Sequence, residues 1–255
     1  MYHMAKADFY DSDPNYNYSK YWENRDYENK AEEQAIKKML RGKKVNSAVD
    51  IGGGYGRLCP LLQQFSNKVY LLEPSKKQRE IAKDFLANYS VSIKNGSSTK
   101  TDFSPNSVDL ITMIRVMHHL PDPEPTYKEI HRILKPGGLF LLEVANSKNF
   151  KSVIRRTLKG KRTPSKPVDI KNNSTTLSDP KNPFVNHNPH TVINSLHDHG
   201  FKLAKKLSVS NLRSTTIKKV VHPKALDLME SSSQYILAPL YFGPSIFFLF
   251  VKESE

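Results

Sequence analysis

The sequence predicts an α/β fold built on a doubly wound, Rossmann-like sheet, and three observations carry that prediction. Strand-like and helix-like segments alternate between residues 45 and 145, as they do when crossover helices join parallel strands. Several strand segments are nearly continuous apolar runs, which is expected when helices cover both faces of the sheet. The first strand segment runs into a glycine-rich turn, Gly52-Gly53-Gly54-Tyr55-Gly56.

Hydrophobic periodicity and turn residues place the individual elements. Two helices, starting near Ser19 and Asn29, precede the sheet. The first five strands are predicted at 48–51, 68–72, 91–94, 108–114 and 139–144, with helices at 58–65, 75–88 and 125–134. Pro136-Gly137-Gly138 is expected to turn the chain into the fifth strand. Later elements are a helix at 191–199, a strand at 202–210, a helix at 223–231 and a strand at 245–251.

These elements divide one predicted domain into four parts. Residues 1–44 form an N-terminal helical cap, 45–146 the core, and 191–255 complete the same sheet. Residues 147–190 are polar, basic and rich in proline. A long irregular insert in a compact domain is usually functional or disordered, and the family resemblance described below implies that this one caps a substrate site.

Charge is unevenly distributed along the 255 residues. The chain has a net charge of +14, and residues 151–224 carry 16 Lys/Arg against three Asp. Such an excess indicates either a solvated basic surface or an anionic partner. An anionic small molecule is the first choice of partner and nucleic acid the second, while no motif specifies an oligomeric state.

The remaining bulk features point to a cytoplasmic protein. The N-terminus lacks a signal-peptide pattern, and the apolar run at 235–251 is broken by Pro239, Gly243 and Pro244, so no transmembrane span is predicted. A single cysteine, Cys59, excludes an internal disulfide. His187 and His190 have no neighbouring acid or cysteine in sequence, so no metal site is predicted.

The glycine turn is the strongest functional signal. Gly52, Gly53 and Gly54 follow Asp50 at the end of a strand that is expected to be buried, and a turn of this kind exposes backbone N–H groups that can bind an anion. Arg57 occupies the position where a G-x-G-x-x-G dinucleotide motif has its third glycine, which disfavours a nicotinamide dehydrogenase. Glu73 ends the second strand, where its carboxylate can accept ribose hydroxyls or can lie at a helix N-terminus.

Five ordered segments then resemble one enzyme family over roughly residues 45–145. They are the glycine turn, Glu73-Pro74-Ser75, Asn95-Gly96-Ser97-Ser98, Arg115-Val116-Met117-His118-His119-Leu120, and Leu134-Lys135-Pro136-Gly137-Gly138. This succession resembles the UbiE-like, type 11 branch of class I S-adenosylmethionine-dependent methyltransferases. The resemblance implies about seven strands with the last one antiparallel, beginning near Ser245, and S-adenosylmethionine as cofactor.

The resemblance also implies roles for particular residues. Gly52 and Gly54 would approach the methionine part of the cofactor, Asp50 its ammonium group through water, and Glu73 with Pro74 its ribose. Ser97 stands where the family often has an aspartate that binds adenine, and Ser98 follows it, so a hydroxyl or a backbone group has to make this contact. Arg115 would contact the cofactor through its backbone, or is an ion-paired arginine.

The N-terminal segment 18–25 resembles the helix that covers the cofactor in similar enzymes. Tyr21 and Arg25 would then bind the methionine carboxylate, or the aromatic helix packs on the edge of the sheet.

Methyl transfer from a sulfonium is an in-line displacement that needs alignment, and a base only if the nucleophile must lose a proton. His119 and His118 follow the fourth strand and are candidates for that base, although such histidines also serve in packing. His187 and His190 would line the substrate cavity or cap a helix. Glu143 and Asn146, at the end of the fifth strand, are weaker candidates.

Three functions stay open from the sequence. The first is a methyltransferase acting on a small, anionic molecule. The second is an RNA methyltransferase that uses the basic lobe at 151–224, although the sequence contains no recognised RNA-binding module. The third is a non-catalytic subunit that binds S-adenosylmethionine.

Overall fold

The computed structural model describes residue 11 and residues 18–169 and 184–254. Parts of the predicted cap and of the predicted insert therefore lie outside the described residues. The strands are β1 (Val45–Ile51), β2 (Ser66–Leu72), β3 (Val91–Lys94), β4 (Val108–Met113), β5 (Leu134–Ala145), β6 (Val168–Asp169), β7 (Val185–Asn186), β8 (Phe201–Val209) and β9 (Ser245–Lys252).

The described helices fall between these strands. They are α1 (Asp26–Met39), α2 (Cys59–Leu62), α3 (Lys76–Phe85), α4 (Glu124–Ile133), α5 (Phe150–Thr157), α6 (Pro189–Asp198), α7 (Thr215–Val220) and α8 (Pro223–Ile236). Short 3-10 helices cover Tyr18–Trp22 and Met117–His119. Within the described ranges, no helix combines the length and the apolar character needed to cross a membrane.

Seven strands form one sheet in the order β3-β2-β1-β4-β5-β9-β8. The first five are parallel, and β9 runs antiparallel between β5 and β8. The predicted α/β sheet of seven strands with an antiparallel last strand is therefore confirmed. The strand order reverses between β1 and β4, and ligands bind at the carboxyl ends of the strands beside such a reversal.

Alternating side chains of the strands supply two separate hydrophobic cores. One face packs against α1 to α3 through residues such as Ala48, Leu71, Leu141 and Leu249. The opposite face packs against α4 and α6 through their sequence neighbours Val49, Phe140 and Phe248. This arrangement explains the continuous apolar runs, since both faces of each central strand are buried.

The fifth strand starts earlier than predicted. Leu134 already pairs with Val108, and Leu139 pairs with Leu110, so the register shifts across the residues between them. Gly137 has a φ of +74° there. The predicted Pro136-Gly137-Gly138 turn is thus an irregularity inside β5, because the strand resumes in the same direction after it.

Two helices are additions to the predicted elements. The insert at 147–190, expected to be irregular, contains α5, whose N-terminus is capped by Asn149 Oδ1 accepting from the Ser152 N–H at 3.0 Å. The short helix α7 lies between the predicted strand at 202–210 and the helix at 223–231. Both helices are short, and prolines follow α5. The prolines led to a prediction of irregular structure although the apolar residues of α5 have helical spacing.

The N-terminal helix α1 is tied to the C-terminal helix α8 by a buried carboxylate. Glu230 accepts from the Tyr27 hydroxyl at 2.6 Å and from the backbone N–H groups of Ser210 and Asn211 at 2.8 and 2.9 Å. Gln234 Nε2 donates to the Ala31 carbonyl at 2.9 Å. The first and last parts of the described chain therefore pack as one layer.

Candidate functional site

The turn after β1 is a backbone conformation that only glycine accommodates. Gly52 and Gly54 have φ values of +66° and +60°. A Cβ on Gly52 would lie 2.6 Å from the Val116 side chain, and one on Gly53 would lie 2.3 Å from Asp50 Oδ2. The turn therefore presents bare backbone at the sheet's switch point.

Asp50 lies beneath this turn with one carboxylate oxygen unused. Its Oδ1 accepts from the Thr112 hydroxyl at 2.7 Å, whereas its buried Oδ2 has no hydrogen-bond donor among the described residues. Burial raises the pKa of this carboxyl to about 6, and the Thr112 hydrogen bond opposes the shift. A buried orphan acceptor costs free energy, so this oxygen fits a cationic or water-bridged ligand group.

Glu73 contacts the glycine turn directly. Its Oε2 accepts from the Gly54 N–H and its Oε1 from the Ser75 N–H, both at 2.9 Å. The carboxyl is 5% exposed, and burial raises its pKa to about 7 against the effect of these two hydrogen bonds. Each oxygen keeps a lone pair, so the group can accept two further hydrogen bonds from vicinal hydroxyls.

Gln78 is a site residue that the sequence reasoning missed. Ser75 and Gln78 have the spacing of a capping box, in which the glutamine would bind the Ser75 N–H. In the structure that N–H donates to Glu73 Oε1 instead. The Gln78 carboxamide is 1% exposed, has no hydrogen-bond partner among the described residues, and places Oε1 4.0 Å from the Cβ position of Gly54.

The side chain of Arg115 is ion-paired. Its Nε donates to Glu32 Oε1 at 2.8 Å and its NH1 to the Tyr21 hydroxyl at 3.1 Å. Its backbone has a φ of +61°, and its N–H donates to Glu143 Oε2 at 3.1 Å. The ion-paired alternative thus describes the side chain, and the predicted backbone contact with a cofactor stays a prediction.

Arg57 joins the same carboxylate from the glycine turn. Its guanidinium donates to Glu32 Oε2 at 2.5 Å and lies 3.6 Å from the centre of the Trp22 ring. Glu32 is 2% exposed. We refer to Glu32, Arg57 and Arg115 as the Glu32 latch, because it fastens α1 to the glycine turn and to the end of β4.

The first 3-10 helix lies over the glycine turn. The Tyr18 ring comes within 3.2 Å of the Cβ position of Gly54 and stacks on Tyr21 at 5.7 Å. The Arg25 guanidinium lies 4.0 Å from the centre of the Tyr21 ring. Tyr18, which the sequence reasoning did not select, is therefore nearest the turn, and the carboxylate-binding roles of Tyr21 and Arg25 stay predictions.

The residues after β3 are partly engaged with each other and with α4. The Ser98 hydroxyl is within 2.9 Å of the Thr126 hydroxyl, in a buried pair. The Ser97 hydroxyl is 3.1 Å from that of Thr99 and is more exposed. Arg79 donates to the Pro74 carbonyl at 2.6 Å, which fixes the chain after Glu73. Ser97 is thus the more accessible of the two predicted adenine contacts.

His118 and His119 lie together beside Phe184. Their rings are 4.1 Å apart, and Phe184 stacks on His118 at 5.0 Å. Burial holds the pKa of His118 well below its usual range, and the neighbouring His119, Arg115 and His187 add to this effect. His118 is therefore neutral near pH 7 and can accept a proton, though as a weak base.

The two other predicted histidines, His187 and His190, contact different residues. His187 Nε2 lies 2.9 Å from the Met117 carbonyl, and burial lowers the pKa of this imidazole. His190 packs against Tyr241 at 4.7 Å instead. In the described part of the chain, no three His, Cys, Asp or Glu side chains group as metal ligands would.

Glu143 and Asn146 are occupied by neighbouring groups. Glu143 Oε1 accepts from the Ser245 hydroxyl at 2.6 Å, and burial raises the pKa of the carboxyl. Asn146 Nδ2 donates to the carbonyls of Tyr241 and Gly243 at 2.7 Å. Both side chains hold the carboxyl end of β5 in place, which accounts for their burial.

The central segment of the chain is similar to known proteins. Residues 49–142 match the family model described as a methyltransferase domain. Over 110 residues the chain is 28% identical to the ubiquinone biosynthesis O-methyltransferase of Pseudomonas aeruginosa strain LESB58. The matched stretch covers 42% of this chain and 46% of that enzyme, so it spans less than half of the curated relative.

Solved structures of similar fold cover nearly the whole chain. One is the protein of Haloferax volcanii in complex with the Trm112 methyltransferase activator, with a TM-score of 0.64 and 17% identity over 99% of this chain and 100% of that chain. Another comes from Thermotoga maritima, with a TM-score of 0.61 and 20% identity over 92% and 95% of the two chains. At these identities the likeness shows the fold.

Proposed function

We propose that the chain, whose residues 49–142 form a methyltransferase domain of the S-adenosylmethionine-dependent class, transfers a methyl group to a small, anionic acceptor. The observation that carries this proposal is the pairing of Glu73 with the Gly54 N–H at 2.9 Å. Beside this pair lie two buried groups without partners among the described residues, Asp50 Oδ2 and the Gln78 carboxamide. Donor and acceptor groups are thus left for a ligand at the switch point of the sheet.

The residues present fit the cofactor group by group. Glu73 and Gln78 would hold the ribose hydroxyls, one as acceptor and the other as donor and acceptor. Asp50 would hold the ammonium group through water, while Tyr21 and Arg25 would bind the carboxylate and Ser97 the adenine. When bound, the cofactor supplies a methyl group on a positively charged sulfur. The protein's contribution is then to align the acceptor with that group and to exclude water.

A basic cluster near the carboxyl end of β5 supports an anionic acceptor. Lys206 Nζ lies 4.4 Å and Lys148 Nζ 5.7 Å from the centre of the Tyr241 ring. Burial lowers the pKa of the adjoining His190, and both lysines lower it further. An anion at this cluster would contact two cations near the carboxyl ends of the strands, where the residues proposed to hold the cofactor also lie.

We assign proton removal from the acceptor to His119, with His118 as the alternative. The imidazole would take the proton from an acceptor hydroxyl or amine as the methyl group is transferred. His119→Asn is expected to lower kcat by about 100-fold without changing the dissociation constant of the cofactor, and His118→Asn is the matched comparison. If neither variant changes kcat, the two histidines serve only in packing.

Isothermal titration calorimetry tests the cofactor assignment. Wild type is expected to bind S-adenosylmethionine and S-adenosylhomocysteine and not NAD. Glu73→Ala should abolish this binding, whereas Glu80→Ala, on the exposed side of α3, should leave it intact. Tight NAD binding with no heat from S-adenosylmethionine would refute the proposal.

Transfer of a labelled methyl group into lysate fractions tests the acceptor. Label is expected in the soluble small-molecule or lipid fraction. Label in RNA, with binding that weakens steeply at high salt, would favour the RNA methyltransferase alternative. Because one structure of similar fold contains an activator subunit, label that appears only after addition of lysate protein would point to such a partner. Cofactor binding with no labelled fraction would favour a non-catalytic subunit.

A further inference from the structure

The helix α5 turns its apolar side away from the protein. Phe150, Ile154 and Leu158 are 49%, 43% and 83% exposed, and their spacing of four residues places them in one row. We call this row the outer stripe. The residues of α5 that are half-buried, Ser152, Val153 and Arg156, include polar ones. A surface helix of a globular protein normally has the opposite arrangement.

The stripe is presented by a well-held helix. The Phe150 N–H donates to the Phe242 carbonyl at 3.0 Å, and the two rings stack at 4.8 Å. Asn149 caps the helix and donates from Nδ2 to the Asn146 carbonyl at 2.6 Å. At the other end, Gly160 has a φ of +62° and terminates it. The exposure of Ile154 and Leu158 is therefore a property of the folded helix.

Strong positive charge surrounds the stripe. Residues 148–166 contain eight Lys/Arg and no Asp or Glu. Lys151 and Arg155 are exposed on the turn of the helix beside the stripe. An apolar row flanked by cations is the pattern of a helix that lies in the interface of an anionic membrane.

The position of α5 relates this surface to the candidate site. The helix begins five residues after β5 ends. It therefore starts at the carboxyl end of the parallel strands, where the glycine turn also lies. A flat surface that contacts the stripe would therefore lie at the end of the sheet that carries the candidate site.

We propose that the outer stripe and its flanking cations dock the protein on an anionic lipid surface. Resting on the proposed function, we further propose that the methyl acceptor is presented from that surface. The phosphates of a nucleic acid could pair with the cations, but they would leave the aliphatic Ile154 and Leu158 exposed to water. A lipid surface would bury these side chains as well and is therefore the better match.

Vesicle co-sedimentation tests the docking without any cofactor. The full chain is expected to bind vesicles of phosphatidylcholine with 30% phosphatidylglycerol about tenfold more tightly than vesicles of phosphatidylcholine alone, and to be released by salt. Failure of methyl transfer would overturn the proposed function but not this result, because the two assays share no reagent.

Paired variants separate the two parts of the surface. Ile154→Ser with Leu158→Ser should weaken vesicle binding about tenfold, whereas Leu228→Ser, at a 70% exposed position on α8, should not. Lys151→Gln with Arg155→Gln should weaken it by a similar factor, and the control is Arg41→Gln with Lys43→Gln. Unchanged circular dichroism and melting temperature would show that each variant is folded.

Several outcomes would overturn the docking proposal. Equal affinity for both kinds of vesicle, or an unchanged affinity after loss of the stripe, would do so. A dimer in light scattering that Leu158→Ser dissociates would assign the stripe to a second copy of the chain. Binding to an RNA oligonucleotide that needs the cations but not the stripe, with no vesicle binding, would assign the surface to nucleic acid.

Discussion

Gln78 illustrates how one residue can obey a local sequence rule and yet serve another purpose. Its spacing from Ser75 predicts a capping bond, but the Glu73 carboxylate has taken the N–H that the bond requires. The carboxamide is left buried beside Gly54 without a partner among the described residues. A buried amide without hydrogen bonds costs about 1–3 kcal/mol, which a bound ligand would recover.

Gln78→Leu is therefore expected to change stability and cofactor binding in opposite directions. Loss of the orphan amide should raise the free energy of unfolding of the free protein by about 1 kcal/mol, and loss of the proposed ribose contact should weaken cofactor binding about tenfold. Thermal melting and calorimetry measure the two effects. Weakening of both together would mean that the amide has a structural partner.

Glu73 makes stability depend on pH. Its pKa in the folded protein is about 7 against an ordinary value of 4.5, so the folded state keeps a proton that the unfolded state releases between these values. Stability should fall as the pH rises from about 4.5 to about 7, by about 2–4 kcal/mol.

Glu73→Gln should remove this dependence. The difference in unfolding free energy between the variant and wild type should shift in favour of the variant between pH 5 and pH 8, measured by urea denaturation. Glu80→Gln, on an exposed ion pair, should show no such shift. A constant difference across this range would mean that Glu73 stays ionised in the folded protein.

For single residues, the predicted placement was correct where the residue type and its local position allow one role. Prediction left the role open where they allow two. The positive φ values of Gly52 and Gly54, and the place of Glu73 beside them, follow from the glycine turn and the end of a strand. For Arg115 the sequence left a backbone contact and an ion pair open and named no partner, because Glu32, which Arg115 shares with Arg57, lies in a remote segment of the sequence. Contacts between remote segments leave no local pattern.

Among the elements, the Glu32 latch shows how α1 and the first 3-10 helix are held against the sheet. One buried carboxylate serves two arginines, from the glycine turn and from the end of β4. Removal of its charge would leave both guanidinium groups without their anion, and breaking a buried pair in this way is strongly destabilising.

Glu32→Gln is thus expected to lower the free energy of unfolding by about 3 kcal/mol. Urea denaturation followed by circular dichroism measures the loss. The exposed pair of Glu80 with Lys83 provides the comparison, since Glu80→Gln should cost less than about 0.5 kcal/mol. Equal costs for the two variants would show that the latch contributes no more than a surface pair.

Element prediction was most accurate in the core of the sheet and least accurate near prolines and glycines. The strands at 91–94 and 245–251 follow from buried apolar runs between turn residues. The bulge in β5 was taken as a turn because Pro136-Gly137-Gly138 has the composition of one, and α5 was missed because it is short and is followed by prolines. Both errors arise where tertiary context decides between two local readings.

Across the whole molecule, Glu230 connects the beginning and the end of the described chain. It is fully buried and accepts from Tyr27 on α1 and from two backbone N–H groups after β8. The sequence showed strands returning after residue 190, but a bond between residues 27 and 230 has no sequence signature. This bond is part of what makes the segments one packing unit.

Glu230→Gln is expected to lower the free energy of unfolding by about 3 kcal/mol, since an amide has one acceptor oxygen for the four donors that Glu230 serves. Tyr27→Phe leaves the Ser210 and Asn211 N–H groups bonded to Glu230 but removes the acceptor of the Leu212 N–H, and it should cost about 1–2 kcal/mol. Urea unfolding should remain a single transition by near- and far-ultraviolet circular dichroism. Two separate transitions in wild type would contradict the single packing unit.

The surroundings of Trp22 have an optical consequence. It is the one tryptophan of the chain, it is 9% exposed, and its indole lies against the Arg57 guanidinium and edge-on to Tyr21 at 5.5 Å. Selective excitation at the red edge of aromatic absorption would separate its emission from that of the tyrosines. Since the ring lies against Arg57 and Arg115 of the Glu32 latch, its emission intensity and wavelength should change when these contacts change. The protein thus carries an intrinsic fluorophore with which stopped-flow mixing can time entry into the site, with no label attached.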